Sequence, residues 1–137
     1  MDKLDLKIIK ILERNGRASN TEIAKKTNVS EGTVRKRILF LVKKEIIKRF
    51  TIDLGAKGGF TALILINTEP NVVLSKIIKK ICAREGIRKV SEVAGAFDLV
   101  VEISTESAEK FNAIIDSIRT ITKIKDTQSL IVLKTSF

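Results

Sequence analysis

The chain has 137 residues, with 26 Lys and Arg against 16 Asp and Glu, a formal charge of +10 and no histidine. An apolar share of 44% suits the packed core of one ordinary domain or two small ones and excludes a disordered tail. No apolar run approaches the ~20 residues that span a bilayer, and the opening Met1-Asp2-Lys3-Leu4-Asp5 puts charges inside any signal segment, so no membrane partner and a cytoplasmic location are expected.

The positive charge is concentrated. Residues 1–58 carry 15 Lys and Arg against 7 Asp and Glu, a net of +8, whereas residues 59–137 carry 11 against 9, a net of +2. A solubility charge would be spread evenly. The asymmetry suggests two modules, with a polyanion as partner of the first.

In the first module Leu4, Ile8, Ile11 and Leu12 recur at helical spacing, and Asn15-Gly16 ends that helix. Ser19 precedes Glu22 by three residues, a capping box in which each side chain satisfies a free N–H of a helix start. Ile23, Ala24 and Thr27 line the inner side of this short second helix, and Asn28-Val29 makes a tight turn. Ser30 is the next N-cap candidate. Behind it, Val34, Ile38 and Leu41 share one face of a third helix. At 100° per residue the opposite face holds Gly32, Lys36, Leu39 and Lys43, with Arg35 on its flank and Arg37 close to the core face.

Two short helices joined by a tight turn, the second one basic, fit a helix-turn-helix. The N-terminus of the third helix presents free N–H groups and a positive dipole end to phosphate. Gly32 lets the backbone approach a groove, and Thr33, Arg35 and Lys36 can reach base edges or phosphates. Arg37 fits a phosphate contact or an internal ion pair. The β-rich stretch from Ile46 to Ile52 is expected to form a wing strand that carries Lys48 and Arg49 toward the DNA backbone. Leu54-Gly55-Ala56-Lys57-Gly58-Gly59 is a glycine-rich joint.

The second module alternates strand and helix. Strands are expected at Phe60–Thr68, Arg88–Ala94, Asp98–Ser104 and Lys125–Thr135. Helices are marked by Leu74, Ile77, Ile78 and Ile81, and by Ala108, Phe111, Ile115 and Ile118. The order β-α-β-β-α-β predicts a four-stranded antiparallel sheet with both helices on one face, the ferredoxin-like arrangement. Ala62-Leu63-Ile64-Leu65-Ile66, Leu99-Val100-Val101 and Leu130-Ile131-Val132-Leu133 do not alternate, so both sheet faces should be buried. The helices cover one face, and a second subunit is expected on the other. Cys82 lies four positions after Ile78 and is expected in the core. A lone cysteine and no histidine provide neither a disulfide nor a zinc ligand set, so no metal or cofactor is expected. The commonest general base is also missing, which argues against an enzyme.

In their order and spacing these stretches resemble the Lrp/AsnC transcriptional regulators, the feast/famine proteins of bacteria and archaea. The resemblance rests on Leu4-Asp5 with Ile8 and Leu12, on Asn15-Gly16-Arg17, on Glu22-Ile23-Ala24, and on Ser30 through Arg37-Ile38 and Leu41. It continues in Ala94-Gly95-Ala96-Phe97-Asp98-Leu99, which resembles a turn between two strands, and in Asp126-Thr127-Gln128-Ser129 at the last strand. Two positions depart from the family pattern. Glu45 stands where a glycine is usual, and Ala96 where a charged residue is common.

The resemblance implies an α+β protein with a winged helix-turn-helix over 1–53, a linker over 54–60 and a ferredoxin-like domain of the RAM type over 61–137. It implies a sequence-specific regulator that binds double-stranded promoter DNA as a homodimer, or as a tetramer or octamer. The alternative is an architectural protein that coats DNA with little sequence preference. Some haem-biosynthesis decarboxylases share the architecture, but a chain without histidine lacks their usual haem ligand. The expected DNA face comprises Arg17, Ser19, Asn20, Ser30, Glu31, Gly32, Thr33, Arg35, Lys36, Arg37, Lys48 and Arg49. A small amino-acid effector is implied at Gly95, Ala96, Phe97, Asp98, Thr127 and Ser129. A zwitterion needs N–H groups for its carboxylate and a carboxylate or hydroxyls for its ammonium, which this turn can supply.

Overall fold

The computed structural model describes residues 1–54 and 59–136, and it divides into two compact units, Met1–Asp53 and Leu54–Phe137. Most of the expected linker, positions 55–58, lies outside the described residues.

The first unit holds three helices: α1 (Lys3–Arg14), α2 (Asn20–Thr27) and α3 (Glu31–Lys43). Each begins on a side-chain cap. Asp2 caps α1 in a capping box with Asp5, Ser19 caps α2 in a capping box with Glu22, and the Ser30 hydroxyl accepts from the Thr33 N–H. Asn28 ends α2 in the left-handed region at φ 57°. Ile8, Ile23, Ala24, Val34 and Leu41 form the buried core, flanked by Leu4, Ile11, Leu12, Ile38 and Ile47.

Just past the Lys44 cap of α3 stands Glu45, where the family pattern has glycine. Its φ is 55°, with the Ile46 N–H donating to Leu41 O and the Glu45 N–H to Val42 O, both at 3.0 Å. This is a Schellman ending, and a side chain in its left-handed position costs about 1 kcal/mol. The expected wing strand over 46–52 is not present: no strand is assigned between Ile46 and Leu54. A strand exists only as half of a ladder, and the regular elements of this unit are all helices, so β-forming residues alone do not make a strand here.

The second unit comprises β1 (Phe60–Thr68), α4 (Leu74–Cys82), β2 (Ile87–Glu92), β3 (Leu99–Thr105), α5 (Ala108–Arg119) and β4 (Ile124–Ile131). The four strands form one antiparallel sheet in the order β2-β3-β1-β4, which is the expected ferredoxin-like topology. Ala62, Ile64 and Ile66 of β1 and Leu99, Val101 and Ile103 of β3 turn toward the helices. There they bury against Ile77 and Ile81 of α4 and Phe111, Ile115 and Ile118 of α5. Complete burial of one such side chain contributes about 1.5–3 kcal/mol.

Neither α4 nor α5 lies on the other sheet face. Register places Leu65 between Val100 and Gln128, and Leu63 between Glu102 and Leu130. Leu63, Leu65 and Val100 are half-buried and Leu130 is exposed. The non-alternating runs therefore do put apolar residues on both faces. Two expectations need correction. β4 stops at Ile131 rather than Thr135; one more bond, Val132 N–H to Thr61 O (2.9 Å), brings the pairing to the start of β1, where the partner strand runs out. Cys82 is exposed at the last position of α4, because Ile77 and Ile81 occupy the buried stripe of that helix.

Candidate nucleic-acid interface and effector turn

α2, the Asn28-Val29 turn and α3 form the helix-turn-helix, and the Ser30 cap places the first turn of α3 at the surface. The Ser30 hydroxyl is 3.1 Å from the Thr33 N and 2.8 Å from the Thr33 hydroxyl. Gly32 is exposed, and a Cβ built there would meet nothing within 4 Å. The clearance in front of this turn is what close approach to a groove requires. Lys36, one turn further on, is exposed. Arg35 is exposed too, paired with Glu31 at 2.6 Å on its own helix. An exposed pair of this kind contributes little to stability, so the guanidinium is free to exchange Glu31 for phosphate.

The remaining expected DNA residues fall into two groups. Arg17, Lys48 and Arg49 are exposed and available. Ser19 is exposed but its hydroxyl is occupied as the α2 cap, and Asn20 is half-buried at the first position of α2. Arg37 differs from Arg35. Its guanidinium lies 2.8 Å from Asp2 Oδ2 and 3.5 Å from Asp5 Oδ1, so of the two roles its sequence position allowed, the ion pair is the one present. The Asp5 N–H and then the Arg37 charge hold the Asp2 carboxyl below the ordinary aspartate range. A depressed folded-state pKa contributes stability that is present above the unfolded value and lost as pH falls through the lowered one, so this contribution is in place at neutral pH and is lost on acidification.

The proposed effector residues lie at one end of the sheet. Gly95 (φ 142°) is exposed in the turn between β2 and β3, and nothing approaches within 4 Å of a Cβ built there. The N–H groups of Gly95, Ala96 and Phe97 have no acceptor among the described residues. Asp98 is more constrained than the sequence suggested. Its Oδ2 accepts from the Thr68 N–H at 2.8 Å and from the Thr68 hydroxyl at 3.1 Å, while its own N–H donates to Ile66 O at 3.0 Å. Asp98 thus fastens the turn to the end of β1, a partner 30 residues away that no local motif announces.

Thr127 pairs with Ile66 and Ser129 with Ile64, which sets both on the helix side of the edge strand β4. The Thr127 hydroxyl accepts from Arg119 Nε at 3.1 Å. Thr127 and the turn flank β1 at the same end, whereas Ser129 lies two residues further in. Within one chain the six residues therefore line a rim rather than an enclosed cavity. A separate cleft of about 350 Å³ lies at the other end of β3, lined by Glu85, Gly86, Ser104, Thr105, Glu106, Lys110, Ala113 and Ile114. No three His, Cys, Asp or Glu side chains among the described residues are grouped to hold a metal ion, and no described helix is long and apolar enough to cross a membrane.

Comparison with known proteins matches both units. Residues 1–48 match the winged helix-turn-helix DNA-binding family, and residues 61–137 match the Lrp/AsnC ligand binding domain. The HTH-type transcriptional regulator LysM of Sulfurisphaera tokodaii is 38% identical over 137 residues, covering 100% of this chain and 98% of the relative. The HTH-type transcriptional regulator FL11 of Pyrococcus horikoshii is 37% identical, covering 98% of this chain and 91% of the relative. Among solved structures, the leucine response regulatory protein LrpA of Mycobacterium tuberculosis superposes with a TM-score of 0.83 at 22% identity, covering 100% of this chain and 95% of that one. AsnC of E. coli superposes with a TM-score of 0.75 at 24% identity, with the same two coverages. These two share the fold. With full-length relatives above 30% identity and a family match at each unit, the chain belongs to the Lrp/AsnC family of DNA-binding transcriptional regulators.

Proposed function

We propose that the protein is a sequence-specific regulator acting as a homodimer in the cytoplasm, binding DNA through α3 and responding to a small amino acid held at the Gly95–Asp98 turn. The first turn of α3 carries the DNA reading: a capped helix start, open space at Gly32, exposed Lys36, and Arg35 held only by an exposed pair. Arg17, Lys48 and Arg49 add backbone contacts. The protein acts by binding rather than by catalysis. Dimerisation uses the sheet face opposite α4 and α5 at Leu63, Leu65, Val100 and Leu130, and higher assembly to a tetramer or octamer would close the rim of effector residues into a site.

The test begins with a duplex selected from a random-sequence pool by the protein itself, followed by footprinting. Saturable protection at two sites about one DNA turn apart is the expected result. Coverage indifferent to sequence would identify an architectural protein instead. Lys36→Ala and Arg35→Ala should each weaken binding to the selected duplex, about 5- to 100-fold if the side chain reads a base, with oligomer size unchanged. Unchanged affinity in both variants would remove α3 as the recognition element.

For the effector, the free N–H groups of Gly95, Ala96 and Phe97 suit a carboxylate, and Asp98 Oδ1 suits an ammonium while Oδ2 holds Thr68. A thermal-shift series over the twenty amino acids should find at least one that stabilises, because a ligand at 100 times its Kd adds about 2.7 kcal/mol. Asp98→Asn should remove that shift and leave DNA binding in place. A shift that persists at full size in the variant would place the ligand elsewhere.

A further inference from the structure

Arg37 stands at the centre of a closed set of polar contacts that joins the first helix to the third. Asp2 Oδ1 accepts from the N–H groups of Leu4 and Asp5, each at 2.9 Å, and Asp5 Oδ2 accepts from the Asp2 N–H at 2.9 Å. A capping box built from two aspartates brings two carboxylates together at the start of α1. Asp5 is only 1% exposed, so its charge has left water, and a buried carboxylate without a cation is strongly unfavourable. Arg37 supplies the cation from another helix: one guanidinium nitrogen reaches Asp2 and the other reaches Asp5. A guanidinium fork can serve two carboxylates at once, whereas a lysine ammonium is a single point charge.

We propose that Arg37 is a positioning residue for DNA recognition, fixing the rotation of α3 on α1 through Asp2 and Asp5, and that it does not contact phosphate. The inference rests on α3 being the recognition helix. The hydrophobic contacts of Val34 and Leu41 hold α3 down, but the force behind them is non-directional and sets the helix's rotation less sharply than a directed ion pair does. Base readout does not tolerate a loosely set rotation, since a recognition side chain must stay within about 0.5 Å and 10–20° of its productive geometry. A two-pronged ion pair with one buried partner is directional. It also keeps Arg37 committed, in contrast to Arg35, whose carboxylate partner is exposed on the same helix.

The experiment compares the full-length protein with its Arg37→Gln, Arg37→Lys, Asp2→Asn and Lys36→Ala variants. The probes are the selected duplex and a shuffled duplex of the same composition, each titrated from 50 to 300 mM KCl. Asp2→Asn is the informative variant, because asparagine caps a helix as well as aspartate does and only the Asp2 arm of the ion pair is removed. Loss of a negative charge from a basic unit should by itself tighten DNA binding. The positioning role calls for the opposite in selectivity: the ratio of selected to shuffled affinity falls by about tenfold, roughly the cost of one misread base pair. Arg37→Gln should lower the ratio likewise while leaving the salt slope unchanged, and Arg37→Lys should not restore it.

If Arg37→Gln instead reduces the salt slope by about 0.9 for each protomer and weakens both duplexes alike, with Arg37→Lys restoring both, Arg37 is a phosphate contact and the proposal falls. A folded Asp2→Asn variant with an unchanged ratio overturns it as well. Thermal melts verify folding, and if Arg37→Gln does not fold, the half-exposed Asp2 position decides the matter. The underlying reading fails separately: Lys36→Ala would then alter neither affinity nor slope.

Discussion

Leu65→Glu is expected to convert the protein to a monomer and to weaken its binding to the selected duplex by about 10²–10⁴-fold, the range lost when two linked contacts become independent ones. Leu65 lies on the sheet face that neither α4 nor α5 covers, and its cross-strand neighbours are Val100 and Gln128. A glutamate there meets water in a monomer, so the fold survives. In a dimer packed face to face, the same carboxylate would be buried next to apolar side chains and close to Glu102, whose neighbouring cation, Arg88, is already paired with it at 3.7 Å. That cost exceeds what a modest apolar interface returns. The effect on DNA is indirect but large, because in the proposed dimer two recognition helices on one body would bind two half-sites as a single event. Light scattering at micromolar concentration and the duplex titration read the two consequences separately. A variant that remains dimeric would remove this face as the interface.

What the sequence could and could not convey follows from the range of the interactions involved. Phe60–Thr68 was legible end to end, since its apolar run is long and Pro70 punctuates its exit. α2 and α3 were legible from Ser19, Glu22 and Ser30, because caps act within three residues. The wing and the end of β4 were not, for one shared reason: the extent of a strand belongs to the pair. The stretch from Ile46 to Ile52 has β-forming residues but no strand in its unit to form a ladder with, and β4 stops pairing where β1 begins.

The candidate sites divide in the same way. The exposed face of α3 came from helical angles alone. The commitment of Arg37 to Asp5 spans 32 residues and two helices, and the commitment of Asp98 to Thr68 spans 30 residues. Neither partner is marked by any nearby motif. Helical angle did place Arg37 near the core face, which is the one local trace that its ion pair leaves in the sequence. The open sheet face was legible because apolar runs break the expected alternation, and that signal requires no knowledge of what covers the face.

The steepest response to conditions should come from salt. Residues 1–58 carry a net charge of +8, and the exposed cations among them include Arg17, Arg35, Lys36, Lys48 and Arg49. If three of these on each protomer meet phosphate, a dimer neutralises about six, and log K should fall with log salt at a slope near −5. Between 50 and 200 mM KCl that amounts to about a thousandfold loss of affinity. The shuffled duplex should lose affinity in parallel, since counterion release is blind to sequence, so selectivity should hold while affinity collapses. Lys36→Ala should make the slope shallower by about 2 per dimer if Lys36 meets phosphate, and leave it unchanged if Lys36 reads a base. A slope shallower than about −2 in the parent protein would mean that the charge concentrated in the first unit does not face the duplex, and the placement of α3 against DNA would have to be abandoned. Over pH 6–8 the same titration should stay nearly flat, because a chain without histidine lacks the side chain whose ordinary pKa falls in that window.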